Sequence, residues 1–129
     1  MLVLDASAAL PASAAEDGFR AFGNEELVAP PLLWPEVRSV LHVSAWRGLI
    51  DRAAAERSLA ALESGHVRER QHRRLGEQAW QIADELGWAK TYDAEYLALA
   101  ALLDVPVLTF DRRLRNAADR IGVAVRTNP

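Results

Sequence analysis

Residues 91–111 read TYDAEYLALAALLDVPVLTFD, and they predict one helix followed by one buried strand. Apolar residues recur at intervals of three and four along 97–102, which is typical of a helix with an apolar face. Asp93 lies at the start of this helix, where a short polar side chain can cap free backbone N–H groups. The apolar run Val105–Phe110 resembles a strand that is covered on both faces, as in a parallel sheet.

Aspartates stand at the ends of these elements. Asp111 follows the predicted strand, and a helix that runs back along a sheet returns the end of that strand to its own start. We therefore expect Asp93 and Asp111 to face each other. Near the amino terminus, Leu2–Leu4 predicts another short strand, which Asp5 follows directly. Ligand sites in open α/β sheets form at the carboxyl ends of the strands, so the three aspartates should share one rim.

The remaining sequence alternates short apolar strands with amphipathic helices. Helices are expected at Ser7–Ala15, from Pro35, from Asp51, from Leu75 and around Leu114–Ile121, and further strands at Leu27–Ala29 and Val123–Val125. The inner face of the helix at Pro35 should carry Val37, Val40, Leu41 and Ser44. This order predicts an α/β fold, a three-layer sandwich in which a mostly parallel central sheet is flanked by helices. We expect residues 1–129 to form a single domain.

The composition limits the classes of function. The chain has 129 residues, a formal net charge of −3 and no cysteine, which excludes disulfides and zinc sites built on thiolates. No apolar run is long enough to span a bilayer, and the first residues enter a strand rather than a signal peptide. We therefore expect a soluble, cytoplasmic protein with no membrane partner. The slight negative charge argues against nucleic acid, unless several acids are gathered around a cation.

Four acids form the principal candidate site, namely Asp5, Glu36, Asp93 and Asp111. Hard divalent cations such as Mg²⁺ take carboxylate oxygens as ligands, and such a cation can assist hydrolysis of a phosphodiester. Carboxylates gathered in one cleft without a cation repel each other, so at least one should have a raised pKa. The alternative is that the four are unrelated capping or surface carboxylates.

Two hydroxyls and three arginines flank these acids. Ser7 lies two residues after Asp5, and Thr109 lies two residues before Asp111. Each hydroxyl could orient a carboxylate or a water molecule at the metal, although Ser7 could equally cap the first helix. Arg112, Arg113 and Arg115 follow Asp111 and could grip a nucleic-acid backbone, or could form a solvated helix face.

Four segments in this order resemble the PIN-domain ribonucleases, and among them the VapC-type toxins of VapBC toxin–antitoxin pairs. The segments are LVLDASAAL at 2–10, PEVRSVL at 35–41, TYDAEYLALA at 91–100 and VLTFDRRL at 107–114. The resemblance covers nearly the whole chain. It implies a PIN-like fold and a homodimeric endoribonuclease that depends on Mg²⁺ or Mn²⁺. It also implies RNA as the substrate and a small VapB-type antitoxin whose tail fills the acidic cleft.

The metal-site acids of that family fall on Asp5, Glu36, Asp93 and Asp111. Some members carry a further acid where this chain has Asn116, whose amide supplies no charge. The missing charge argues against binding of a second metal ion and does not affect binding of the first. Asn116 is then left with a supporting role beside the acids.

Two other classes of protein remain alternatives. A haloacid-dehalogenase-like phosphatase also has an aspartate after its first strand, but it needs a second aspartate where Ser7 stands. An inactive PIN-like binding module would have the fold without a working site, and the four intact acids argue against it.

Overall fold

The computed structural model describes all of residues 1–129 as a central parallel sheet with helices on both faces. The six α-helices span Ala6–Ala14 (α1), Leu33–Trp46 (α2), Arg52–Glu63 (α3), Leu75–Leu86 (α4), Tyr92–Leu103 (α5) and Arg112–Ile121 (α6). The five strands span Leu2–Leu4 (β1), Leu27–Ala29 (β2), Val67–Glu69 (β3), Val107–Leu108 (β4) and Val125–Arg126 (β5). A short 3₁₀ helix covers Gly18–Phe22. The predicted α/β sandwich is confirmed.

The strand order is β3-β2-β1-β4-β5, and every neighbouring pair is parallel. The first strand therefore lies in the middle of the sheet. Leu4 of β1 is in register with Leu108 of β4, which brings the carboxyl ends of these two strands side by side. The residues that follow them, Asp5 and Thr109, begin the rim of the candidate site.

Side chains alternate between the two faces of the sheet and divide the core in two. Val3, Val28 and Val107 pack with α4, α5 and α6, whereas Leu2, Leu4 and Leu108 pack with α1, α2 and α3. The helix α5 is buried along most of its length, and only Tyr96 from it joins the second cluster. Tyr96 thereby reaches across to α2, which carries Glu36.

Helix ends follow the predicted chemistry in part. Asp51 caps α3 by accepting a hydrogen bond of 2.6 Å from the backbone N–H of Ala54. Asp104 closes α5 in the left-handed conformation with a φ of 53°, and the N–H of Val105 bonds back to the carbonyl of Ala100. The expectation that Asp93 caps α5 is wrong, because the helix begins one residue earlier and its first turn already contains Asp93.

Several boundaries differ from the sequence-based expectations. The helix predicted from Pro35 begins at Leu33, and its residue Val40 is exposed rather than on the inner face. The strand β4 pairs over two residues instead of the whole run Val105–Phe110. The strand β3 was not predicted, since only one of its three residues is buried. It is an edge strand, where a polar pattern is normal.

No helix of the chain combines the length and the hydropathy needed to cross a membrane.

Candidate active site

The Asp5 carboxylate is the most enclosed part of the rim, with only 5% of the residue exposed. Its Oδ1 accepts hydrogen bonds from the Ser7 hydroxyl at 2.7 Å and from the backbone N–H of Ala8 at 3.0 Å. Its Oδ2 accepts a hydrogen bond from the hydroxyl of Thr109, a fully buried residue. Asp5 also caps α1, which excludes the alternative that Ser7 is the cap.

The two hydroxyls tie β1 and β4 together at their ends. The Ser7 Oγ lies 3.3 Å from the Thr109 Oγ1 and accepts a hydrogen bond of 2.9 Å from the backbone N–H of Phe110. Thr109 in turn accepts a hydrogen bond of 3.0 Å from the N–H of Asp111. Each hydroxyl therefore donates to Asp5 and accepts from the segment that leads to Asp111, so the orientation of the carboxylate is fixed from both strands.

Glu36 lies in the first turn of α2 and is held from α5. The Tyr96 hydroxyl donates a hydrogen bond of 2.8 Å to its Oε2, and Tyr96 is only 1% exposed. Burial and the negative Glu36 both raise the pKa of the Tyr96 phenol, so this hydroxyl stays protonated and remains a donor. Sequence reasoning did not identify Tyr96. Its spacing of three residues from Asp93 on one helix was the available signal.

Asp93 and Asp111 form the more exposed part of the rim. The Asp111 Oδ1 accepts backbone hydrogen bonds from Arg113 at 2.7 Å and Leu114 at 3.2 Å, and it thereby caps α6. The Oδ2 of Asp93 lies 3.4 Å from a guanidinium nitrogen of Arg113. The start of α6 thus contacts both aspartates, and this agrees with the expectation that the two face one another.

The pKa values of two carboxyls show that the acids act on one another. Burial raises the pKa of Asp5 most, the hydrogen bonds from Thr109, Ser7 and Ala8 lower it, and the charge of Asp111 raises it further. Burial likewise raises the pKa of Glu36, against the hydrogen bond from Tyr96. The predicted rise is therefore present, although desolvation contributes more than repulsion.

The pKa of Glu36 is raised further by the negative charges of three other acids, Asp93, Asp5 and Glu95. Glu95 is a further acid that sequence reasoning missed, and burial raises its own pKa. The negative charge on this rim therefore extends beyond the four predicted acids.

The side chains fit a hard divalent cation by their chemistry more than by their spacing. All four predicted acids offer carboxylate oxygens, which such cations prefer. No three His, Cys, Asp or Glu side chains lie close enough together to hold a single ion. A cation would be held by Asp5, Glu36, Asp93 and Asp111 only with adjustment of the exposed side chains, or with water completing its ligand set.

The predicted nucleic-acid arginines separate into two groups. Arg112 and Arg113 line one cavity together with Asn116, whereas Arg115 lines neither of the cavities at this end of the molecule. Asn116 makes no hydrogen bond to any of the four acids, and the supporting role expected for it stays a prediction. The guanidinium of Arg113 also lies 4.4 Å from the centre of the Trp88 ring, a cation–π contact.

Comparison with known proteins places this chain in a family. The PIN domain family matches residues 2–120. The chain therefore belongs to the PIN-domain family, and within it to the VapC-type ribonucleases. A haloacid-dehalogenase-like phosphatase is excluded by this assignment.

The relatives concerned are mycobacterial, and the similar crystal structure is archaeal. The chain is 35% identical over 115 residues to VapC ribonuclease Mb0985 of Mycobacterium bovis and to ribonuclease VapC9 of Mycobacterium tuberculosis. In both cases the match covers 88% of this chain and 88% of the relative. The crystal structure of PAE2754 from Pyrobaculum aerophilum superposes with a TM-score of 0.76 at 30% identity, over 96% of this chain and 87% of that one.

Proposed function

We propose that this protein is the toxin of a type II toxin–antitoxin pair and that it hydrolyses RNA within the strand, using a divalent cation at its acidic rim. The observation that carries the proposal is that Asp5 follows β1 directly and Asp111 follows β4, the strand beside it, while the charges of Asp93 and Asp5 reach Glu36 and raise its pKa. The carboxyl ends of neighbouring strands are the typical place of a ligand site in an open α/β sheet.

Asp5, Glu36, Asp93 and Asp111 would hold the cation. When bound, Mg²⁺ or Mn²⁺ supplies a Lewis acid that polarises the phosphate and lowers the pKa of the attacking water. The oxygen-only set of side chains supports a hard cation of this kind. PIN-domain ribonucleases as a class use a divalent metal ion, and the choice between Mg²⁺ and Mn²⁺ belongs to this proposal.

The chain itself contributes orientation and charge. Ser7 and Thr109 fix the direction of the Asp5 carboxylate, and Tyr96 fixes that of Glu36, each through a neutral donor. A neutral donor leaves the negative charge of the carboxylate intact for a cation, whereas an arginine partner would compete with it. In the hydrolysis, the oxygen of a water molecule bonds to phosphorus as that water gives up a proton, one P–O ester bond breaks, and the leaving oxygen gains a proton. The hydrogen bonds of the rim fix the orientation of Asp5 and Glu36 before the substrate binds.

The proposed partners are RNA, a VapB-type antitoxin and a second copy of this chain. Large apolar side chains on the surface support protein partners, since Trp46 is 81% exposed and Leu49 is 73% exposed. RNA and antitoxin would both be met in the cytoplasm, where we place the protein. We further propose that residues 1–129 work as one nuclease domain.

Cleavage of defined RNAs tests the enzymatic part. Purified wild-type protein should cut RNA with Mg²⁺ or Mn²⁺ and should leave it intact with EDTA. Asp5→Asn, prepared in parallel, should not cut under any of these conditions. Equal cleavage with EDTA, or by the variant, would rule out the metal-dependent mechanism. A wild type that binds the cation in a titration and cuts no RNA would identify an inactive binding module.

Growth experiments test the biological part. Expression of the wild type alone should arrest growth, and Asp5→Asn at an equal protein level should not. Growth that continues during expression of a wild type proven active in vitro would argue against the toxin role.

A further inference from the structure

Two cavities adjoin at the exposed end of the rim, and they share the same wall. One has a volume of about 460 Å³ and is lined by residues of α6 and by Leu86 and Trp88. The other has about 320 Å³ and is lined by residues 88–90, Tyr92, Asp93 and Arg113. Both volumes lie within the ~300–1,000 Å³ of ordinary ligand sites. Trp88 and Arg113 line both cavities, and Asp93 lines the smaller one, so we refer to the two adjoining cavities together as the groove.

The groove is positively charged although the protein is not. Its cationic side chains are Lys90, Arg112, Arg113 and Arg120, and its only acid is Asp93. Of these cations only Arg113 has an ion-pair partner, and that partner is Asp93. The chain as a whole carries a net charge of −3. Such a local concentration of unpaired positive charge attracts a polyanion.

Aromatic rings accompany these cations. Tyr92 is 61% exposed at the start of α5, next to Asp93, and it packs against neither core cluster. Trp88 packs against the core cluster around α4 and α5 and contacts the guanidinium of Arg113 in the shared wall, so Tyr92 supplies the accessible ring. Positive side chains interleaved with accessible rings are the features by which proteins bind single-stranded nucleic acid, because the cations follow the phosphates and the rings stack on bases.

We propose that this groove, lined by Lys90, Tyr92, Trp88, Arg112, Arg113 and Arg120, binds single-stranded RNA next to the scissile phosphate. The inference rests on the proposed ribonuclease function and adds the path of the substrate. The RNA strand leaves the acidic rim at Asp93, passes the Trp88–Arg113 wall and follows α6 towards Arg120. Arg115 lies on the same helix outside both cavities and takes no part in the groove.

Binding measured without cleavage tests the groove. Fluorescence anisotropy with a labelled single-stranded RNA of about ten nucleotides, in EDTA, reports affinity while hydrolysis is suppressed. Arg120→Gln removes one cation from the far end of the groove, and its control is Arg57→Gln. Arg57 is an exposed arginine of α3 that has no ion pair and lines neither cavity. Tyr92→Leu removes an exposed ring, and its control is Trp80→Leu on α4, where the tryptophan is 66% exposed.

The expected results differ between the groove variants and their controls. Arg120→Gln should weaken RNA binding about threefold or more and reduce the slope of log K against log salt by about 0.7. Tyr92→Leu should weaken binding about fivefold or more and leave that salt slope unchanged. Both controls should bind as the wild type does. Groove variants that match their controls would overturn the proposal.

A polyglutamate peptide of equal charge distinguishes RNA from an acidic protein segment. If the peptide binds as tightly as RNA and Tyr92→Leu weakens neither, the occupant is an acidic peptide and the proposal is overturned. Cleavage in Mg²⁺ is measured with the same preparations. A wild type that binds RNA through the groove but cuts none would contradict the proposed function and leave the groove supported.

Discussion

The two ends of the acidic rim are built from the same kind of side chain but differ in burial and in their side-chain partners. At the enclosed end, Asp5 and Glu36 accept hydrogen bonds from hydroxyls and lie partly or fully out of solvent. At the open end, Asp93 contacts an arginine and Asp111 caps a helix. Neutral donors hold Asp5, Glu36 and also Asp111 and leave their charges available, whereas Asp93 at the open end is paired with the charged guanidinium of Arg113. We conclude that the enclosed pair provides the rigid part of the candidate site.

The largest expected effect is on catalysis by the enclosed end. Asp5→Asn removes the charge of a buried carboxylate while its amide oxygen can still accept from the N–H of Ala8. Because cation binding should be lost, RNA cleavage should fall by about a thousandfold or more, which corresponds to several kcal/mol of transition-state stabilisation. Initial cleavage rates measure it, and circular dichroism checks the fold. A folded variant with more than a tenth of the wild-type rate would remove Asp5 from the site.

The next effect concerns the donor that holds Glu36. Tyr96→Phe keeps the packing of a buried ring and removes the hydrogen bond of 2.8 Å to Glu36. Loss of such an orienting partner should lower Mn²⁺ affinity or activity by about 10- to 100-fold.

Ser13→Ala is the matched control for this change. It removes another buried hydroxyl whose hydrogen bond of 2.7 Å goes to the carbonyl of Leu10 and to none of the acids. Calorimetric titration with Mn²⁺ compares the two variants. Equal losses of Mn²⁺ affinity in both would mean that Tyr96 acts through stability alone.

A smaller effect should separate the two aspartates of the open end. Asp111→Ala removes the cap of α6 and should lower the free energy of unfolding by about 1 kcal/mol. Asp93→Ala removes only a long, exposed contact with Arg113, which contributes between about 0 and 1 kcal/mol. Urea unfolding in EDTA measures both variants, and each serves as the control for the other. Asp93→Ala emerging as the less stable protein would contradict this account of the open end.

The smallest expected effect is on the pH dependence of stability. Asp5 and Glu36 have folded pKa values above their ordinary values of 3.8 and 4.5, so the folded state binds their protons more tightly than the unfolded state. Their contribution to stability is present below the ordinary pKa and is lost as pH rises through the folded pKa. In EDTA, the free energy of unfolding of Glu36→Gln should therefore fall less steeply with pH than that of the wild type over that range. The difference in slope should correspond to less than one proton.

Urea midpoints at a series of pH values from about 4 upwards measure this difference. Glu25 titrates in the opposite sense, because hydrogen bonds from the N-terminal amine and Arg126 lower its pKa. It is unchanged in the variant, so the comparison cancels it. If the pH profiles of the wild type and the variant run parallel, protonation of Glu36 does not contribute to the pH dependence of the free energy of unfolding.

Much of the fold could be predicted from local sequence. The capping aspartate at residue 51, the helix ending at Gly87 and the buried strands Leu2–Leu4 and Leu27–Ala29 all follow from local signals, namely a polar cap, a glycine with positive φ and continuous apolar runs. These signals act within a few residues, so a sequence displays them directly. The edge strand Val67–Glu69 has no such signal, because its pairing with β2 fixes it rather than its own burial.

The acids of the candidate site and the hydroxyls of Ser7 and Thr109 beside Asp5 could be grouped from sequence, but the partner of Glu36 could not. Asp5 and Asp111 follow predicted strands, and topology alone brings such positions together. The hydrogen bond between Tyr96 and Glu36 joins two helices across 60 residues of sequence, and the spacing of Tyr96 from Asp93 on α5 does not by itself indicate Glu36 as the partner. The supporting role of Asn116 was inferred from the family resemblance and stays a prediction. The structure places Asn116 in the cavity lined by Arg112 and Arg113.

The central place of β1 also bears on how the ribosome makes this protein. The hydroxyl that completes the setting of Asp5 belongs to Thr109, which is synthesised 104 residues later. Until that segment emerges, the growing chain has no β4 beside β1 and no Asp111 on the rim. A translating ribosome therefore carries a chain without the complete candidate site until β4 and Asp111 have emerged. A fragment that ends before β4 lacks Thr109 and Asp111. Translation of a truncated message should therefore yield no active nuclease.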